Sequence, residues 1–228
     1  MRPTLGVLVL DAAFRRLPGD VGHPDSFAAP VVFETLTGLS PAAAVERPEE
    51  AHLAVVEAAA RRAIARGAQV LTTSCGFLVL HQAELARRLP VPILTSALAA
   101  AREVEPDPRR LGVLTFDAAS LGPRHLAAAG LAPEGEGGLA VEGLEPEGVF
   151  RRAVLGRIPP GDAEDAPEAR EREAVEAALR LVARRPELRT LLCECGNLPP
   201  HRDAIAAATE RPVHDVVTIV EAMRRARA

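Results

Sequence analysis

The chain has 228 residues, a net charge of −4 and 48% hydrophobic residues, enough for one large α/β domain or two lobes that bury a real core without disulfides or structural metals. Acidic and basic residues are well mixed, so no single-sign face points to nucleic acid or anionic lipid, and a small-molecule ligand is expected. All 27 basic residues are Arg, and Tyr and Trp are absent, which excludes a pyridoxal Schiff base, a lysine nucleophile, a Walker-type phosphate loop and a tyrosine general acid.

The N-terminal MRPTLGVLVLD holds a six-residue apolar run, too short for a transmembrane helix and lacking a signal-peptide cleavage site, so a cytoplasmic protein is expected. In that compartment the three cysteines stay reduced and free. Apolar runs at 5–10, 31–34, 70–73, 93–95, 111–116, 190–194 and 213–215 read as strands. Between them, Leu53, Val56, Ala60 and Ile64 recur at helical spacing up to Gly67, and Val175, Leu179 and Val182 do the same within 164–184. The Gly-, Pro- and Glu-rich stretch 133–165 reads as a surface connection with a short strand and a helical turn around Phe150. Alternating strands and helices predict a mostly parallel sheet covered on both faces.

An internal repeat refines this. Leu5-Gly-Val-Leu-Val-Leu-Asp-Ala-Ala returns from Leu111 as Leu-Gly-Val-Leu-Thr-Phe-Asp-Ala-Ala, and Cys75-Gly76 followed by Pro92 returns 120 residues on as Cys195-Gly196 followed by Pro212. The expectation is an α/β fold of two pseudo-symmetric lobes, each a mostly parallel sheet flanked by helices, with a ligand cleft between them. Residues 1–96 with 216–228 form the first lobe, and 97–215 the second.

Ligands of open α/β sheets sit outside the carboxyl ends of the strands, where both Cys-Gly pairs fall. A carbon held between two opposed thiols meets sulfur on both faces, as a two-base racemase or epimerase requires. Each Cys-Gly leads into an expected helix, whose N-terminus lowers a thiol pKa, so that one thiolate abstracts a proton while the other thiol donates one. An enolate formed without pyridoxal or metal needs preorganised donors, for which Thr72, Thr73, Ser74, Thr115, Asn197 and the amides of Gly76 and Gly196 stand at strand ends. Cys193, two residues before Cys195, reads as a core or supporting residue, and with His201 it lacks the partners of a zinc site.

At these residues the chain resembles the aspartate/glutamate racemase superfamily over nearly its whole length, through LGVLVLD, TTSCGF, LGVLT and ECGNLPP, and the segment from Pro18 to Pro24 is similar to a PGDVGNP signature of one branch. The resemblance implies a cofactor-independent isomerase with Cys75 and Cys195 as the catalytic pair, and Thr73, Ser74, Gly76, Thr115, Gly196 and Asn197 as contacts to a small carboxylate. Asp11 matches an acidic position after the first strand, and Arg15, Arg16 and His23 lie near the loop expected over the cleft. Gly76-Phe77 and Gly196-Asn197 depart from the Asn-Thr and Thr of amino-acid racemases, which removes groups suited to plain aspartate or glutamate. A maleate-type cis-trans isomerase and an arylmalonate-type decarboxylase belong to the same superfamily, and the resemblance also suggests a homodimer. From another class, a non-catalytic ligand-binding protein or a thiol redox sensor using Cys193 and Cys195 fits the same cysteines.

Overall fold

Four strands carry each half of the protein, and most are buried on both faces, so their sequences read as continuous apolar runs instead of alternating ones. The computed structural model describes residues 2–47, 51–132 and 138–228. In chain order the first half comprises β1 (Leu5–Leu10), β2 (Val31–Leu36), α1 (Pro41–Glu46), α2 (Ala51–Ala65), β3 (Val70–Thr73), α3 (Gln82–Arg88) and β4 (Ile93–Leu94), followed by α4 (Ala101–Val104). The second comprises β5 (Leu111–Thr115), α5 (Pro123–Ala128), β6 (Ala140–Gly143), α6 (Val149–Val154), α7 (Pro167–Arg184), β7 (Thr190–Cys193), α8 (Arg202–Thr209) and β8 (Val213–Asp215), and α9 (Val216–Arg225) closes the chain.

The sheets run β2-β1-β3-β4 and β6-β5-β7-β8, all parallel. The repeat seen in the sequence is therefore a repeat of topology, with β1 and β5 in equivalent central positions. Leu5 registers with Val31 and Val70, and Leu111 with Thr190. Each sheet's carboxyl edge carries one Cys-Gly turn. The stretch expected as a connection with a short strand and a helical turn supplies β6 and α6, the latter including the fully buried Phe150; residues 133–137 of it lie outside the described residues.

Helix α2 packs Val56, Ala59, Ala60 and Ala63 on the first sheet and stops at Gly67, whose φ of +94° suits a residue without Cβ. Helix α7 differs from expectation. Its inward stripe is Ala174, Ala177, Ala178 and Leu181, while Leu179 is 43% exposed. Small alanines let the helix approach the second sheet closely, and a one-residue change of phase turns the larger Leu outward. At its start, buried Arg170 clasps Asp165 with two 2.6 Å bonds and donates to the carbonyl of Arg15, fastening this helix to the loop after β1. Asp215 caps α9 in a reciprocal box with Thr218. From that helix the fully buried Arg224 pairs with Glu221 and donates to the carbonyls of Pro3, Ala28 and Pro30, fixing the last helix against the start of the first half.

Candidate functional site

Beyond β3 the chain turns through Ser74 and Cys75 into a 3-10 helix, Gly76–His81, and beyond β7 it turns through Glu194 and Cys195 toward a second one, Pro199–His201. The two turns meet. A Cβ on Gly196 would stand 2.5 Å from the Ser74 carbonyl oxygen, and a Cβ on Gly76 would stand 2.5 Å from the Glu194 carbonyl oxygen and 2.1 Å from its Oε1. Since Ser74 and Glu194 correspond under the 120-residue offset, each glycine abuts the residue that precedes the opposite cysteine. Glycine follows each cysteine because the two halves touch there, backbone against backbone.

The pocket at this junction is lined by Ser74, Cys75, Gly76, Glu194, Cys195, Gly196 and Asn197 on the polar side, with Arg16. Its apolar walls are Leu10, Phe14, Pro41, Val45, Phe77, Phe116 and Val154, and it holds ≈ 400 Å³ of space between atoms, partly open to solvent. Of the residues expected from sequence, both thiols, Ser74, Gly76, Gly196 and Asn197 gather here. Thr73 and Thr115 stand just behind. The Thr73 hydroxyl is taken up by the carbonyls of Thr95 (2.7 Å) and Cys75 (3.0 Å), and Thr115 Oγ1 donates to Glu194 Oε2 at 2.8 Å. Thr72 likewise spends its hydroxyl on the Leu94 carbonyl. Asp11 is exposed and accepts from the Gly38 amide, and Arg15 lies along a separate groove with Pro167 and His201, so neither lines the pocket. His23 caps a short turn through the Asp25 amide. Cys193 is fully buried on β7, beside Asp215. Among the described residues no group of three His, Cys, Asp or Glu side chains could hold a metal ion.

Sequence reasoning missed two residues. Asp20, within the Pro18–Gly22 loop, is buried and takes hydrogen bonds from Arg16 Nη1 (2.9 Å), the Gly22 amide (2.7 Å) and Asn197 Nδ2 (2.5 Å). Together with the bond from the Val21 amide to the Gly196 carbonyl, it straps the loop of one half onto the cysteine turn of the other. Asn197 is thereby oriented so that its Oδ1 lies 3.7 Å from the Cys195 thiol. Glu194 is the second. A carboxylate inside the apolar run LLCEC was its signal, because an ionisable group at a buried strand end has a reason to be there.

The electrostatics correct the expected thiol activation. Burial pushes Cys75 up to about 12, with the Glu194 charge adding to it, against amide hydrogen bonds from Phe77 and Leu78. Cys195 is raised well above its usual value by burial and then by Glu194, against one amide bond from Asn197. The short 3-10 helices beyond the cysteines do not outweigh the loss of water. Burial also lifts Glu194 to about 7, opposed by the Thr115 hydroxyl.

No protein-family model matches the chain. Over 96% of its length it is 34% identical to dimethylsulfoniopropionate lyase 5 of Emiliania huxleyi (strain CCMP1516), and over 94% it is 29% identical to a dimethylsulfoniopropionate lyase of Durusdinium sp. clade D. It spans 44% of the first relative's length and 71% of the second's. Among solved structures, unliganded arylmalonate decarboxylase matches with a TM-score of 0.60 at 19% identity, covering 97% of this chain and 91% of that one. Picrophilus torridus aspartate racemase matches at 0.58 and 11%, covering 98% and 94%. The chain has the fold of arylmalonate decarboxylase and aspartate racemase. In this fold the thiol pocket lies at the meeting of the two carboxyl edges, and the proteins to which the chain is similar are enzymes by name. Among the described residues no helix is long and apolar enough to cross a membrane.

Proposed function

We propose that this chain is a cofactor-independent enzyme that removes a proton from the carbon next to a carboxylate, using the thiols of Cys75 and Cys195, and that its reaction is elimination of a sulfide from a β-sulfonio carboxylate. The observation that carries the reading is the convergence of both thiols on one largely apolar pocket. The named lyases supply the leaving group: in dimethylsulfoniopropionate the sulfonium sits one carbon beyond the acidic position.

Cys75 is the base in this reading, because two backbone amides stabilise its thiolate where Cys195 has one. The thiolate takes the α-proton, the α-carbon electron pair forms the carbon–carbon double bond, and the bond from the β-carbon to sulfur breaks, releasing neutral dimethyl sulfide and acrylate. The proton ends on Cys75 and must leave before the next turnover. A cationic substrate helps twice, by stabilising the thiolate when bound and by carrying a leaving group that departs uncharged. Asn197, held by Asp20, keeps the Cys195 thiol facing the same carbon.

Racemisation or epimerisation is the second reading, favoured by the presence of a thiol on each half. Where the substrate has no leaving group, the carbanion formed by one thiol is reprotonated by the other. Incubation in heavy water with dimethylsulfoniopropionate and with a panel of chiral 2-substituted carboxylates separates the two. Headspace dimethyl sulfide that depends on Cys75 supports elimination, and α-deuteration with inversion that needs both cysteines supports racemisation. Undiminished turnover by Cys75→Ser and Cys195→Ser would show that neither thiol moves the proton.

A further inference from the structure

Glu194 is 1% exposed and lines the thiol pocket, yet its Oε1 has no hydrogen-bond partner among the described residues. Oε2 is held by Thr115, and no ion pair reaches the carboxylate among those residues. The pseudo-symmetric counterpart is the small Ser74, and Gly76 makes room for Oε1, since a Cβ there would overlap it. An uncompensated buried carboxylate is costly to the fold and is a liability beside a thiolate. It needs a counter-charge, and Arg16, the cation at the pocket, is already engaged by Asp20 and stacked 4.4 Å over Phe14.

We propose that Glu194 is the specificity-determining residue of this pocket and that it recognises a fully alkylated onium group on a carboxylate ligand. An ammonium or guanidinium head would bring several N–H donors, whereas among the described residues that line the pocket Oε1 is the one buried side-chain acceptor without a partner. An onium centre ringed by methyl groups asks for no hydrogen bonds, is weakly hydrated, and fits apolar walls such as Phe77 and Phe116 around one negative charge. The inference rests on the thiol pocket being the substrate site, and it assigns the feature that selects a cation there.

The titratable groups facing Glu194 leave it as the one that changes between about pH 6 and about pH 8.5. In the free protein burial and the Glu194 charge raise both thiols, and His125 and His201, edge-on behind Phe77 and Phe150, are lowered by burial.

The test is calorimetric titration with 3-(trimethylammonio)propionate, whose amine is a far poorer leaving group than a sulfide, beside its uncharged-head isostere 4,4-dimethylpentanoate. Wild-type protein is expected to prefer the onium by about tenfold or more at about pH 8.5, losing that preference toward pH 6 as Glu194 takes a proton. Glu194→Gln should bind both alike at every pH. Thr115→Val, which removes the hydroxyl that favours the ionised carboxylate, should move the midpoint of the preference to higher pH, and this arm decides the matter if the Gln variant does not fold. Equal binding of the two ligands by wild type, or a preference that survives in folded Glu194→Gln, overturns the proposal. Because the titration needs no turnover, onium selectivity without sulfide release sinks the elimination alone, whereas sulfide release with unchanged selectivity in Glu194→Gln sinks this inference alone.

Discussion

Replacing Gly196 with Ala places a methyl group 2.5 Å from the carbonyl oxygen of Ser74 and 3.0 Å from its carbonyl carbon. Relaxed carbon-to-carbonyl-oxygen contacts lie near ~3.3 Å, so the two cysteine turns must part by roughly 0.8 Å. Both sides of the contact are backbone, so no rotamer change absorbs it. Overpacking of this kind costs about 1–3 kcal/mol in stability, and a displacement approaching an ångström at a reacting pair costs up to ~10²-fold in rate. Denaturant unfolding and kcat/KM on the active substrate, measured together, check both figures. The expected pattern is a folded protein with modestly lowered stability and activity reduced about 10- to 100-fold. A Gly196→Ala protein with wild-type stability and wild-type rate would refute the reasoning that close approach of the halves sets the thiol geometry.

Asp20→Ala and Asn197→Ala each break the 2.5 Å bond that straps the Pro18–Gly22 loop to the second half; a double-mutant cycle on unfolding free energies should give a coupling of about 1.5–3 kcal/mol, and a coupling near zero removes the strap from the stability account. Glu194 rises from 4.5 to about 7 on folding, so its contribution favours the folded state fully below the unfolded value and is lost as pH climbs from about 4.5 through about 7, a swing of ~3 kcal/mol at ~1.4 kcal/mol per unit. Glu194→Gln should therefore be the more stable protein at pH 8 in urea titrations, with the advantage disappearing near pH 4. Arg224→Met leaves Glu221 paired only with the part-exposed Arg2 among the described residues, and three backbone carbonyls without their donor, and should lower stability by about 3–5 kcal/mol, seen as a clear drop in Tm.

Much of the fold was legible in the chain because its strands are short, buried on both faces and separated by turn residues; β1, β3 and β8 occupy the expected residues to the end. The α7 face was not, since period alone does not say whether Val175 and Leu179 or the alanines one step away will face the sheet; packing distance decides it. The same division runs through the site. Two Cys-Gly pairs in equivalent positions of a repeat determine, by sequence alone, that two thiols end at corresponding strand edges, because strand direction and connection length repeat with them. Their protonation belongs to the tertiary structure: a free thiol beside a helix start is acidified, but only the folded chain reveals the loss of solvent and the Glu194 charge that reverse the sign. Asp20 meets Asn197 across 177 residues and Thr115 meets Glu194 across 79. No local pattern encodes such contacts: the first exists only once the two halves bring their carboxyl edges together, and the second only once β5 and β7 pair within one sheet.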